Sequence, residues 1–175
     1  MPYIYNFEKN RIEAERILEG LNLEKVLRRH FSDYVDHLKA TKKQDKAGTD
    51  YLVRRGRATH RVDFKLIRKK TPRIGSRRDC LPVEYYSVKE RGIRGYEGDA
   101  DYIIWVYADT LRSVCVERKA LREYIDGHHL EWTYFLEERE TKTRMRSGYV
   151  YTSTFFKVPT WVVEGVGRND LGIAA

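Results

Sequence analysis

Apolar and polar positions along the chain fall into spacings that mark out elements before composition is considered. Residues 8–19 read as a helix closed by Gly20. Asn22 can cap a second one, because apolar or half-apolar residues follow at Leu23, Val26, Leu27, His30, Phe31, Tyr34, Val35 and Leu38. Gaps that alternate between three and one keep these residues on one face, so the pattern predicts a helix reaching Leu38. The polar segment 41–48 predicts a loop. The period then changes to two. Asp50 to Arg54 predicts a short strand. Thr59 to Arg68 predicts a longer one, with Val62, Phe64 and Leu66 on one face and Asp63, Lys65 and Ile67 on the other. Gly56 supports a turn between them. After a basic loop with Pro72 and Gly75, Leu81 to Val88 predicts a third strand.

Further strands are expected from Asp101 to Tyr107 and from Arg112 to Glu117, then a helix over 120–126 ended by Gly127. The tail reads as strands at 149–158 and around 161–163. This order predicts an α/β (α+β) fold, a mixed central sheet flanked by helices.

The 175 residues contain no linker, repeat or low-complexity tract, so residues 1–175 read as a single domain. The longest apolar run, YIIWVYA at 102–108, is too short for a membrane span. The start, MPYIYNFEKN, lacks the basic-then-apolar order of a secretory leader. Two cysteines, Cys80 and Cys115, make no disulfide framework, and the expectation is a cytoplasmic protein with no membrane partner.

Charge changes the picture more. The net charge is +8, and it is unevenly placed. Between Arg54 and Arg78 there are 11 Lys or Arg and one acid, Asp63, while the rest of the chain holds 23 basic and 25 acidic residues. An excess confined to one stretch predicts an anionic partner, nucleic acid, with DNA placed before RNA. The candidate phosphate-binding residues are Arg54, Arg55, Arg57, Arg61, Arg68, Lys69, Lys70, Arg73, Arg77 and Arg78.

Embedded in that stretch are groups suited to phosphodiester hydrolysis. Asp63 and Lys65, two apart on a strand, point to one face. Asp50 opens the preceding strand and can lie beside Asp63 if the strands pair. Glu84, on the predicted third strand, is the next carboxylate. Carboxylates holding Mg²⁺ (or Mn²⁺) acidify water and offset phosphate charge, and a lysine can orient or deprotonate that water. The acid-any-Lys triplet is itself common. It recurs at Glu117-Arg118-Lys119 and Glu140-Thr141-Lys142. With Asp101 at a strand start, Glu117 and Lys119 form a rival site.

Other signals are weaker. His30 and His37 are too far apart for an adjacent-turn pair, His128 and His129 are neighbours, and no paired-cysteine motif exists, so no zinc site is expected. No GxxxxGK[ST] phosphate loop occurs. Cys115, Trp105 and Trp161 read as core residues, and His30 reads as lining the core face. His60 falls near the expected phosphate path. One of Tyr85 and Tyr86 should face the active-site side.

The helix, then GTD at 48–50, VDFK at 62–65 and VEYYS at 83–87 resemble the PD-(D/E)XK nuclease superfamily, the fold of restriction endonucleases and archaeal Holliday-junction resolvases. QDKAGTD at 44–50 and RGIRGYEGDADYIIWV at 91–106 resemble segments of its phage and plasmid members. The resemblance covers about residues 10–126. It implies Asp50 and Asp63 as metal ligands, Lys65 as catalytic lysine, Glu84 as accessory ligand and a helix glutamate from among Glu13, Glu15 and Glu24. Thr49 stands where the name has proline, and no full helix fits after Val88. The expectation is a Mg²⁺-dependent nuclease. The alternatives are a non-catalytic nucleic-acid-binding protein, a phage-encoded one included, and a protein-binding inhibitor with an incidental basic face. Oligomeric state stays open, a homodimer included.

Overall fold

The computed structural model describes residues 4–168. A short strand β1 (Ile4–Asn6) leads into α1 (Phe7–Gly20), whose cap is the Asn6 side chain accepting from the Lys9 N–H at 2.9 Å. Helix α2 (Leu23–His30) is capped in the same way by Asn22, which accepts from the Lys25 N–H. The expected extension of this helix to Leu38 does not form. The chain leaves the helix at Phe31 and becomes strand β2 (Tyr34–Lys39). The reason is tertiary. Pairing with the following strand satisfies this backbone, and only Tyr34 of β2 is buried, while Val35 and Leu38 stay exposed. The 41–48 loop contains a short helix α3 (Lys42–Lys46), closed at its start by a reciprocal cap between Thr41 and Gln44.

Strands β3 (Tyr51–Arg55) and β4 (Ala58–Ile67) form the expected hairpin, turning at Gly56 with φ of +52°. β2, β3 and β4 are a continuous antiparallel meander. The chain then departs, and returns as β7 (Tyr102–Tyr107), which lies parallel to β4 with Asp63 opposite Ile103 and Lys65 opposite Trp105. β8 (Ser113–Glu117) completes the mixed sheet in the order β2-β3-β4-β7-β8. The predicted third strand exists as β5 (Cys80–Val88), but it belongs to a second sheet. There it pairs antiparallel with β6 (Ile93–Arg94) and β10 (Val150–Pro159). β9 (Glu138–Arg144) and β1 complete that sheet, which runs β1-β9-β10-β5-β6.

Helix α4 (Arg118–Phe135) passes through Gly127, which therefore does not end it. The segment around 161–163 is not a strand but the start of α5 (Thr160–Arg168). Its Val163 and Val166 are buried at helical spacing, and a Cβ at Gly167 would stand 2.8 Å from the Cys115 carbonyl, so α5 lies hard against β8. Trp161, expected in the core, sits on the outer side of α5 and is 62% exposed. Among the described residues no helix is long and apolar enough to cross a membrane.

The fold is thus α+β, with a mixed sheet covered on both faces. On one face Leu18, Leu23, Val26, Leu27 and Phe31 of α1, α2 and the turn after them pack on Val53, Val62, Phe64, Ile104 and Val106. On the other, Ile103, Trp105, Val114 and Val116 meet α4, α5 and the second sheet through Leu81, Val83, Phe156 and Val158. A hydrogen bond crosses this second core, from the Trp105 indole N–H to the Pro82 carbonyl at 2.9 Å. Trp105→Phe removes that donor from a buried acceptor and leaves a small void. The expected loss is about 2–3 kcal/mol in urea unfolding, and a loss under ~0.5 kcal/mol would show that the two sheets do not share this bond.

Candidate active site

The antiparallel register of β3 and β4 pairs Tyr51 with Val62, both on the face covered by α2. Asp63 and Lys65, two apart on β4, share the opposite face, and Asp50, just before β3, lies close enough for the charges of both to act on it. Asp50 is locked from both sides. Its N–H donates to the Val62 carbonyl at 2.9 Å, its carbonyl accepts from the Ala40 N–H at 2.8 Å, and its Oδ2 accepts from the Phe64 N–H at 2.7 Å. Asp63 is buried, and Lys65 Nζ lies 3.1 Å from its Oδ2. Glu84 arrives from the other sheet. It accepts from the Ser87 hydroxyl at 3.1 Å, and its charge acts on Lys65.

A residue absent from the sequence-derived set completes the cluster. Arg118, at the start of α4, is buried and donates from Nη2 to Asp63 Oδ2 at 2.6 Å. Its Nη1 donates to the Gly95 carbonyl at 3.3 Å, while its Nε has no hydrogen-bond partner among the described residues. The glycine loop 92–98 makes room for it. A Cβ at Gly98 would meet Arg118 Nη1 at 2.8 Å, and one at Gly95 would meet the Glu84 side chain at 2.4 Å. The loop is fastened to the end of α3, ahead of β3, by the Asp99 N–H, which donates to the Ala47 carbonyl at 2.9 Å. The segments 44–50 and 91–98 are therefore two walls of one seat.

The electrostatics follow from this crowding. Burial, and then the charge of Asp63, push the Asp50 carboxyl up to about 6 against the pull of the Phe64 N–H and Lys65. Burial pulls the Lys65 ammonium down, but Asp63, Glu84 and Asp50 together outweigh it, and its pKa lies above the ordinary lysine value. Lys65 therefore keeps its proton at neutral pH. In that form it is a hydrogen-bond donor and a positive charge beside the carboxylates.

The set can be compared with what a divalent cation needs. Mg²⁺ takes oxygen ligands, keeps several waters and is commonly held by one or two carboxylates with substrate phosphate. Asp50 and Asp63 fit that need, since they repel each other and each has one oxygen with no protein hydrogen bond among the described residues. A ready three-ligand cage is not present. Among the described residues no three His, Cys, Asp or Glu side chains gather as a metal cluster, so Glu84 does not join Asp50 and Asp63 in one. The His129 side chain lies outside the described residues.

The rival set does not assemble. Asp101 accepts from the Arg61 N–H at 2.7 Å at the start of the β4–β7 ladder, Glu117 is exposed at the end of β8, and Lys119 is 78% exposed and faces Glu123. The basic residues divide into two groups. Around the β3–β4 hairpin, Arg54 pairs with Asp36, Arg55 with Asp33 and Arg61 with Asp101, leaving Arg57 at the turn. Beyond β4, Arg68 pairs with Glu13, whereas Lys69, Lys70, Arg73, Arg77 and Arg78 have no ion pair among the described residues. Of the helix glutamates, Glu13 is thus tied to Arg68, Glu15 to Arg11 and Glu24 to Arg28. Cys115 is held in the core, and burial raises its thiol to about 12. His30 is half-buried against the Ser113 hydroxyl, and burial lowers it to about 4. Tyr85 packs on Tyr96 and Phe156.

Two outcomes check this arrangement. A carboxyl whose folded pKa is raised prefers its proton in the folded state, so stability falls as pH climbs from the ordinary value of 3.8 through about 6. Asp50→Asn keeps the acceptor for Phe64 and removes the charge. It should raise the melting temperature at pH 7.5 and leave it unchanged near pH 4; an equal effect at both would contradict the raised pKa. Arg118→Met should cost about 3–5 kcal/mol by leaving Asp63 without its buried partner. Arg118→Met combined with Asp63→Leu should recover much of that loss, and strict additivity in the cycle would show the pair to be uncoupled.

Searches of protein-family models, curated proteins and solved structures returned no match to this chain.

Proposed function

We propose that the chain is a metal-dependent nuclease of the PD-(D/E)XK kind, acting on DNA. The observation that carries this reading is the placement of Asp50, at the entrance to the β3–β4 hairpin, within reach of the charges of Asp63 and Lys65, so that two close carboxylates meet a lysine. Mg²⁺ or Mn²⁺ held by Asp50 and Asp63 would offset phosphate charge and lower the pKa of water. The chain's own groups do the rest. Lys65 donates to a phosphate oxygen or to the attacking water and holds it in line. Arg118 fixes the orientation of Asp63 and balances part of the carboxylate charge. Gly95 and Gly98 admit Glu84 and Arg118 to the seat.

One observation favours the non-catalytic reading. Arg118 and Lys65 both engage the same oxygen of Asp63, so the cluster is already neutralised in part by the chain itself. In that reading the constellation is a structural ion-pair network beneath a nucleic-acid-binding surface.

Incubation of the protein with linear, nicked, branched and single-stranded DNA, in Mg²⁺ or Mn²⁺, separates the two. Catalysis predicts metal-dependent cutting that Lys65→Met lowers about 100-fold or more without a matching loss of melting temperature. Salt-sensitive binding with no cutting in either metal would favour the binding protein. Absence of salt-sensitive DNA affinity would leave the protein-binding inhibitor.

A further inference from the structure

The strongest unassigned feature is a groove of about 900 Å³ beside the candidate active site. Its floor is apolar, made by Ile67, Pro82, Tyr107, Leu136 and Phe155 from both sheets. Its rim is cationic, with Arg68, Lys69, Lys70, Arg77 and Arg78 on one side and Lys157 on the other, against a single acid, Glu137. Glu137 already pairs with Lys157 at 2.6 Å. Lys69, Lys70, Arg77 and Arg78 have no ion pair among the described residues, in contrast to the matched arginines of the hairpin.

The segment that carries these charges is pinned. The Thr71 N–H and hydroxyl both donate to Asp109, at 2.9 and 2.5 Å. At the other end buried Asp79 accepts from the Gly75 N–H, the Thr160 hydroxyl and Arg112. The cations are therefore displayed on a braced loop. Ile67, on the groove floor, is two residues beyond Lys65 on the same face of β4, a separation of roughly 7 Å along a strand.

Charge alone would suit any polyanion. The apolar floor is more selective. A duplex stacks its bases inward and offers such a surface mainly phosphates, whereas a single strand offers bases for apolar and aromatic contact together with phosphates for the rim. We propose that the groove binds single-stranded nucleic acid and guides it toward Asp63 and Lys65. The directional part rests on the nuclease reading, whereas occupancy of the groove does not require it.

The test is equilibrium binding of fluorescent dT20 and of a blunt 20-base-pair duplex, in EDTA, so that cutting plays no part. The wild type should bind dT20 about tenfold or more tighter than the duplex at equal salt. Arg77→Ala with Arg78→Ala should weaken dT20 binding and flatten its salt dependence by about 1.4 in the log–log slope. Lys25→Ala, on the exposed side of α2 and away from the groove, should change neither. Phe155→Ala should weaken dT20 about tenfold and the duplex little, provided its melting curve shows a folded protein; Phe155→Leu supplies the same comparison with less loss of volume. Equal or tighter duplex binding would overturn the inference, as would a Lys25→Ala effect matching that of the Arg77/Arg78 variant. Polyglutamate that displaces dT20 at equal charge concentration would also overturn it, in favour of an acidic protein partner. Absence of cutting in the metal assay, with dT20 preference intact, would sink the nuclease reading alone.

Discussion

The ion pair between Arg118 and Asp63 is the contact around which the site is organised. It joins the centre of β4 to the first residue of α4, 55 positions later in the chain. A buried carboxylate and a buried guanidinium are tolerated only when they meet, because each alone would lose its water without compensation. That requirement reaches outward. The guanidinium needs Gly98 to be without a side chain, as Glu84 needs Gly95, and these glycines bring the 92–98 loop against the segment that leads into β3. Asp50 is held there by β4 and by Ala40. One electrostatic obligation thus couples the meander, the excursion and the last third of the chain.

The second constraint is the parallel placement of β7 on β4. A parallel neighbour cannot be reached by a tight turn, so the chain must leave the sheet and return. Here it leaves as the basic loop and the β5–β6 hairpin, not as a helix. That excursion supplies Glu84, the glycine loop and the cationic rim in a single detour. It also places the second sheet over the face that bears Asp63, which is why this carboxylate is screened from bulk water.

Much of this was legible in the sequence. Strict alternation over 59–68 identified β4 and assigned Asp63 and Lys65 to a common face, as observed. The helix reading to Leu38 failed because spacings of three and one also suit a chain that changes from helix to strand midway, and the pairing of β2 with β3 decided the matter. β9, with its sequence ERETKTR, carries no apolar alternation at all and exists through its ladders with β10 and β1. Glu84 could be assigned to a strand but not to a sheet, since pairing partners are not written locally. Arg118 was the middle residue of the rival Glu117-Arg118-Lys119 triplet, in a position treated as arbitrary. Its one sequence trace is Gly98, whose bareness marks the close approach of another group.

The bracing of residues 71–79 by Asp109, Asp79, Arg112 and Thr160 has a thermodynamic consequence. A surface that is already ordered spends little conformational entropy when it meets a ligand, so its association is not coupled to folding. Heat-capacity change on binding should then track only the apolar floor that becomes covered, and encounter rates should be set by diffusion and field strength, not by a slow ordering step.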